Sequence, residues 1–182
     1  MTTPATPSLV LLDCQRNRIE RPDGGIDPEN REAAAAIAAL LRQARADGWS
    51  VCHCQHAGEG APADRTPIDG LRPHSREPVF VRRGLSAFSD TYFHQILARS
   101  AGRTRLLVGF SAPFSVLATL FDAQTRGVEL TLVPEAVGAL AVAPRNVAET
   151  RGVAFDLAAR IAPAMSLDAI ADRWMRAPAV AG

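Results

Sequence analysis

Short apolar runs alternate with helix-like segments along the sequence, and this alternation restricts the possible folds. The apolar runs that predict strands are residues 9–13, 50–55, 78–82, 105–110 and 128–133, with a possible edge strand at 164–166. The segments between them that predict helices are 27–48, 90–98, 114–126 and 144–161. Strands that alternate with helices form a mostly parallel sheet with helices on both faces. The sequence therefore predicts a three-layer α/β/α sandwich with five to six strands.

The length and composition of the chain limit the number of domains and the classes of partner that we expect. Its 182 residues correspond to about one domain, so residues 1–182 are expected to form a single unit. The formal net charge of +1 gives no electrostatic reason to expect nucleic acid as a partner. No apolar run approaches the length of a membrane span, and the first residues lack a basic region typical of a signal peptide. We expect a cytoplasmic protein with a small-molecule substrate or ligand.

The predicted fold indicates where a functional site would lie. In open parallel sheets, ligands bind beyond the carboxyl ends of the strands. Polar side chains at those ends are Asp13, Gln15, His56, Arg82 and, after the fourth strand, Ser111 and Ser115. Four apolar residues could form walls of the same pocket, although core packing is an equally good interpretation of each: Leu85, Phe88, Phe110 and Phe114. The chain after the first strand has no glycine-rich fingerprint, which disfavours a dinucleotide-binding protein.

Three cysteines, Cys14, Cys52 and Cys54, raise the question of a metal site. An odd number of cysteines does not suggest a secreted disulfide framework. Thiolates could bind a soft metal, but small buried hydrophobic residues are the more common use of free cysteine. We predict no metal site and no cofactor.

Three segments together resemble the isochorismatase-like hydrolases, also called the cysteine hydrolase superfamily. The segment SLVLLDCQRN resembles the family's opening strand, and VFVRRGLSAFSDTYFHQIL resembles its K-x-x-x-S-A-F segment. The segment RLLVGFSAPFSVLATLFDAQTRGVELTLVPEAVGA resembles the strand, helix and following strand that carry the nucleophile. The resemblance covers roughly residues 8–165 and implies the strand order 3-2-1-4-5-6 and a homo-oligomer, a dimer or tetramer.

The resemblance also implies a catalytic site and shows two departures from it. The family's Asp, Lys and Cys fall on Asp13, Arg82 and Ser115. The resemblance further implies an oxyanion hole formed by the N–H groups of Ser111 and Ser115, with a cis peptide bond between Phe110 and Ser111. The remaining pocket residues would be Gln15, His56 and the four apolar residues named above.

Two chemical routes and one inactive alternative follow from this residue set. Ser115 could attack an amide carbon, although a hydroxyl is much less acidic than a thiol and needs a good base. Alternatively, Asp13 could act as an acid on a vinyl ether, as in the isochorismatases that lack the cysteine. Arg82 opposes both roles of Asp13, because a neighbouring guanidinium favours the charged carboxylate and so weakens it as a base and as an acid. A pseudoenzyme that only binds a ligand or partner in the pocket is the third possibility.

Overall fold

The computed structural model describes residues 5–58 and 66–175, and its centre is one parallel sheet. The strands are β1 (Ser8–Leu12), β2 (Ser50–His56), β3 (Val79–Arg82), β4 (Arg105–Gly109) and β5 (Thr131–Val137). Their order is β3-β2-β1-β4-β5, and all neighbouring pairs are parallel. The predicted class of fold is confirmed. The possible sixth strand consists of a single parallel bridge between Leu132 and Ala164.

Within the described ranges, five α-helices cover the sheet, and local sequence signals determine several of their ends. They are α1 (Pro28–Ala46), α2 (Thr91–Arg99), α3 (Leu117–Thr125), α4 (Val147–Ala158) and α5 (Leu167–Ile170). Asp90 caps α2 by accepting a hydrogen bond from the Tyr92 amide at 2.8 Å. Asn146 and Glu149 form a reciprocal capping box, so α4 begins later than the predicted residue 144.

The alternation of side chains along the strands divides the core into two layers. Val10, Leu12 and Leu107 belong to the layer that includes buried residues of α2, α3 and α4. Leu9 and Leu11 belong to the opposite layer, which includes the buried face of α1. Each buried leucine contributes roughly 1.5–3 kcal/mol relative to an exposed one. Both faces of β1 are therefore anchored, which holds its carboxyl end in place.

The cysteines are distributed between these two layers. Cys52 and Cys54 lie in the layer of α2 and α3, whereas Cys14 lies in the layer of α1. All three are free and buried, and burial raises the pKa of Cys52 to about 12. Within residues 5–58 and 66–175, no group of three or more His, Cys, Asp or Glu side chains is placed to hold a metal ion. The cysteines thus pack as small apolar residues.

Gly109, at the end of β4, permits an unusually close approach to β1. Its φ is +137°, and a Cβ atom there would lie 1.9 Å from the backbone oxygen of Leu12. Only glycine fits such a position. The next amide, that of Phe110, donates to the same Leu12 oxygen at 2.9 Å. The segments that follow β1 and β4 consequently emerge side by side.

Candidate active site

A fully buried ion pair joins the carboxyl ends of β1 and β3. Arg82 Nη2 lies 2.7 Å from Asp13 Oδ1, and both side chains have no exposed surface. Arg82 reaches across the end of β2, and its Nη1 donates to the backbone oxygen of Gly84. A buried charge is expensive unless it is paired and hydrogen-bonded, so the two side chains hold each other in a defined geometry.

One carboxylate oxygen of this pair is buried without a hydrogen bond. Asp13 Oδ2 is buried and has no hydrogen-bond partner among the described residues, and the same is true of Arg82 Nε. An unsatisfied buried polar atom costs about 1–3 kcal/mol, and more when the group is charged. A buried polar atom that stays unpaired calls for an explanation, and a functional role is one such explanation, so Asp13 Oδ2 is a candidate to contact a reacting molecule.

Backbone strain is concentrated at the same edge of the sheet. Asp13 has φ 51° and Ser111 has φ 65°, and no other non-glycine residue in the described part of the chain has a positive φ. This left-handed conformation is uncommon for residues with a Cβ atom. It persists only where the surrounding structure enforces it, and such positions cluster at functional sites.

The segment after β4 carries both serines. Ser115 lies in a π-helical turn (Ala112–Val116) that precedes α3, and it is 1% exposed; Ser111 is also buried. The cis peptide bond that the resemblance implied between Phe110 and Ser111 is wrong. Among the described residues, the cis bond is Ala143–Pro144. The left-handed conformation of Ser111 makes the chain reversal at this point instead.

Gln15 and His56 connect the ends of β1 and β2. Gln15 accepts a hydrogen bond from the His56 amide at 2.8 Å and donates to the His56 carbonyl oxygen at 3.1 Å. These bonds tie the chain after β1 to the end of β2. His56 Nδ1 is buried without a partner among the described residues. Burial lowers the pKa of His56, and the nearby Arg18 and Arg82 lower this pKa further, so a neutral imidazole faces this edge at pH 7.

The four apolar candidates divide into two pairs. Phe88 and Phe110 are buried in the core, and the Phe88 ring lies 5.1 Å from that of Phe93 in an edge-to-face arrangement. Leu85 and Phe114 are 54% and 51% exposed. Core packing therefore describes the first pair, while the second pair lies on the surface that adjoins Ser86 and Ser115.

Two buried residues that the sequence analysis did not single out support the site. Thr119 in α3 accepts a hydrogen bond from the Ala87 amide at 3.0 Å and so holds the S-A-F segment against α3. Asn30 in α1 donates to the Ala139 oxygen at 2.7 Å and accepts from the Ala139 amide at 3.0 Å. In the sequence, each of these residues is a polar side chain on the otherwise apolar face of a predicted helix. The sequence alone does not identify the group that it bonds.

With this geometry established, comparison with known proteins identifies the family. The sequence matches the isochorismatase domain family over residues 7–166. It is 30% identical over 138 residues to a protein named secreted isochorismatase effector from Verticillium dahliae, which covers 71% of each chain. The chain belongs to the isochorismatase family of hydrolases.

Solved structures share the same fold. An isochorismatase from Pseudomonas putida superposes with a TM-score of 0.77 at 27% identity, covering 91% of this chain and 92% of that one. An isochorismatase family protein from Desulfovibrio vulgaris gives 0.76 at 25% identity, covering 94% and 99%. A structure from Chromobacterium violaceum gives 0.81 at 21% identity, covering 95% and 98%, and this likeness concerns the fold alone.

The helices were also compared with the requirements of a membrane span. Across the described ranges, no helix combines the length and the apolar character needed to cross a bilayer.

Proposed function

We propose that this protein hydrolyses a small molecule at an amide C–N bond or a vinyl ether, with Asp13, Arg82 and Ser115 at the reacting centre. The observation that carries the proposal is the buried Asp13–Arg82 pair, in which Asp13 Oδ2 has no hydrogen-bond partner among the described residues. This pair lies at the edge where parallel sheets bind ligands, next to the strained Ser111 backbone. The membership of a hydrolase family supports the general type of reaction.

In the amide route, Asp13 is the base and Ser115 the nucleophile. The Ser115 hydroxyl gives its proton to Asp13 Oδ2 as its oxygen attacks the carbonyl carbon. The C–N bond then breaks, and the amine leaves with that proton. Water hydrolyses the resulting ester to release the acid and restore the hydroxyl. The N–H groups of Ser111 and Ser115 would hold the developing oxyanion.

In the vinyl ether route, Asp13 first delivers a proton from Oδ2 to the vinyl carbon; water then adds to the cation that forms and returns a proton to Asp13. The addition product then splits into an alcohol and a carbonyl compound. Ser115 forms no bond in this route and only lines the pocket.

Substitution of Ser115 separates the two routes. Purified protein is assayed against panels of aryl amides and vinyl ethers, together with Ser115→Ala and Ser115→Cys variants. In the amide route, Ser115→Ala loses at least about 100-fold in kcat/KM, and Ser115→Cys retains or raises activity, because a thiol ionises more readily. In the vinyl ether route, both variants stay within a few-fold of the parent. Asp13→Asn must abolish turnover in either route; full activity of Asp13→Asn would refute the proposal.

The second candidate function is ligand binding without turnover. The resemblance implies that Arg82 and Ser115 stand where the family has Lys and Cys, and this would favour binding without turnover, because Arg stays protonated and a hydroxyl is a weak nucleophile. If neither the parent protein nor Ser115→Cys turns over any substrate of the panels, while Asp13→Asn weakens the binding of a ligand, this alternative replaces the hydrolase.

Assembly and location remain proposals of the same kind. The exposed Leu85 and Phe114, together with Phe121 at 47% exposure, support a homo-oligomer, a dimer or tetramer, that covers them. Light scattering of the purified protein would measure the mass directly, and a monomer at micromolar concentration would refute it. A cytoplasmic location stays a prediction, since the relative from Verticillium dahliae is named as secreted. We also propose that residues 1–182 act as one domain.

A further inference from the structure

A large cavity lies at the opposite edge of the sheet from the candidate active site. Its volume is about 840 Å³, and it is bordered by the first residues of two strands, Ser8 and Ser50, and by Pro78 just before β3. Ser8 and Asp13 are five residues apart along β1, about 16 Å at ~3.3 Å per residue. Small-molecule sites typically measure ~300–1,000 Å³, so the volume suits a ligand of one or two rings.

The inner wall of the cavity is apolar and preformed. Val10, Leu97, Val51, Cys52 and Trp49 line it, and each is less than a tenth exposed. They belong to the two layers of the core, which makes the wall rigid. An apolar ligand body that enters here would gain roughly 25 cal/mol for each Å² of its surface removed from water.

The mouth of the cavity carries unpaired positive charge. Arg76 and Arg99 line it, both are exposed, and neither forms an ion pair with any of the described residues. Arg45 also lines the cavity, but its charge is matched by Glu77, whose carboxylate oxygens lie 2.7 and 2.8 Å away. The excess charge at the mouth therefore comes from Arg76 and Arg99, and it favours an anionic group on the ligand.

One polar atom in the lining has no partner. Ser8 is 6% exposed, and its hydroxyl oxygen is buried without a hydrogen bond to the described residues. The other buried serine of the lining, Ser100, donates to the Leu97 oxygen at 2.8 Å and accepts from Arg105 at 3.1 Å. Because Ser8 lines the cavity, a bound molecule can supply the hydrogen bond that this hydroxyl lacks.

We propose that this cavity is a second binding site, for an aromatic carboxylate that bears a hydroxyl group at its far end. The carboxylate binds between Arg76 and Arg99, the ring packs against Val10, Cys52 and Leu97, which belong to one layer of the core, and the hydroxyl bonds Ser8. This assignment does not depend on the chemistry at Asp13, because the two sites share no residue.

Calorimetric titration with 6-hydroxy-2-naphthoate tests the charge at the mouth. Arg76→Ala/Arg99→Ala should weaken binding about five- to tenfold, as expected for two exposed charge contacts. The control pair, Arg42→Ala/Arg160→Ala, removes the same charge from exposed residues outside the cavity lining and should change affinity by less than about twofold. 2-Naphthol, which lacks the carboxylate, should bind equally to the parent and to Arg76→Ala/Arg99→Ala.

Two further variants test the location. Ser8→Ala should bind 6-hydroxy-2-naphthoate and 2-naphthoate equally, whereas the parent prefers the hydroxylated probe. Ser50→Trp, or Ser75→Trp if the first variant is poorly folded by circular dichroism, should abolish binding by filling the mouth, since both serines are exposed residues of its lining. The proposal is overturned if the parent releases no binding heat at millimolar probe. Equal losses in the two arginine pairs, or undiminished binding in a folded tryptophan variant, would also overturn it.

Discussion

Replacing Arg82 by Met tests the energetics of the candidate site without any knowledge of the substrate. The variant keeps the length and the apolar stem of the side chain but removes the guanidinium 2.7 Å from Asp13. It leaves a carboxylate with no exposed surface, and its Oδ2 already lacks a partner. Breaking a buried pair from one side costs ~3–5 kcal/mol. That is about a fifth or more of the ~5–15 kcal/mol typical of whole domains.

The double variant Asp13→Asn/Arg82→Met isolates the charge effect. Asn is the appropriate replacement because it tolerates the left-handed φ of 51° at this position. With both charges gone, only an incompletely satisfied amide remains, at a cost of about 1–3 kcal/mol. The double variant should therefore be more stable than Arg82→Met alone.

Urea unfolding followed by far-ultraviolet circular dichroism measures these free energies, provided that the dependence on denaturant is the same for all variants. The reasoning is refuted if Arg82→Met costs less than about 1 kcal/mol. It is equally refuted if the double variant loses the sum of the two single losses, because independent effects add and a coupled pair does not.

Two further predictions concern residues that take no part in the proposed reaction. Burial alone would raise the pKa of Glu77, but hydrogen bonds lower this pKa to about 2, and the bond from the Arg45 guanidinium lowers it most. Because the folded-state pKa of Glu77 is depressed, its contribution to the free energy of unfolding is present above the unfolded value near 4.5 and is lost as pH falls toward 2. Glu77→Gln should therefore weaken the dependence of the free energy of unfolding on pH in that window. An unchanged dependence would contradict this reasoning. Gly109→Ala places a methyl group against the Leu12 oxygen and should prevent stable folding, measured as loss of the thermal transition. Gly152→Ala in α4, where nothing lies within 4 Å, should stabilise by about 0.5–1 kcal/mol as its control.

The positions of most strands could be predicted from the sequence, because strands and helices have different periodicities of apolar residues. The predicted runs at 9–13 and 105–110 overlap β1 and β4, which the structure pairs in parallel from Ser8–Arg105 to Leu12–Gly109. The fifth strand was placed three residues early at its start and four at its end, since Pro134 interrupts the apolar pattern within Thr131–Val137. The helix predicted to begin at residue 114 begins at Leu117 and is preceded by a π-helical turn, whose first amide, that of Ala112, donates to the distant Gly138 oxygen at 3.0 Å.

The sequence by itself determined the carboxyl-edge location of Asp13, Arg82 and Ser115, because strand polarity and element order follow from local patterns. Only the tertiary structure decided that one Asp13 oxygen is paired and the other open, that Ser111 adopts a left-handed conformation, and that Phe88 and Phe110 belong to the core. It also placed a charged cavity at the far edge, from segments that are distant in sequence. Burial and hydrogen-bond partners arise from contacts between such segments, and no local pattern of residues encodes them.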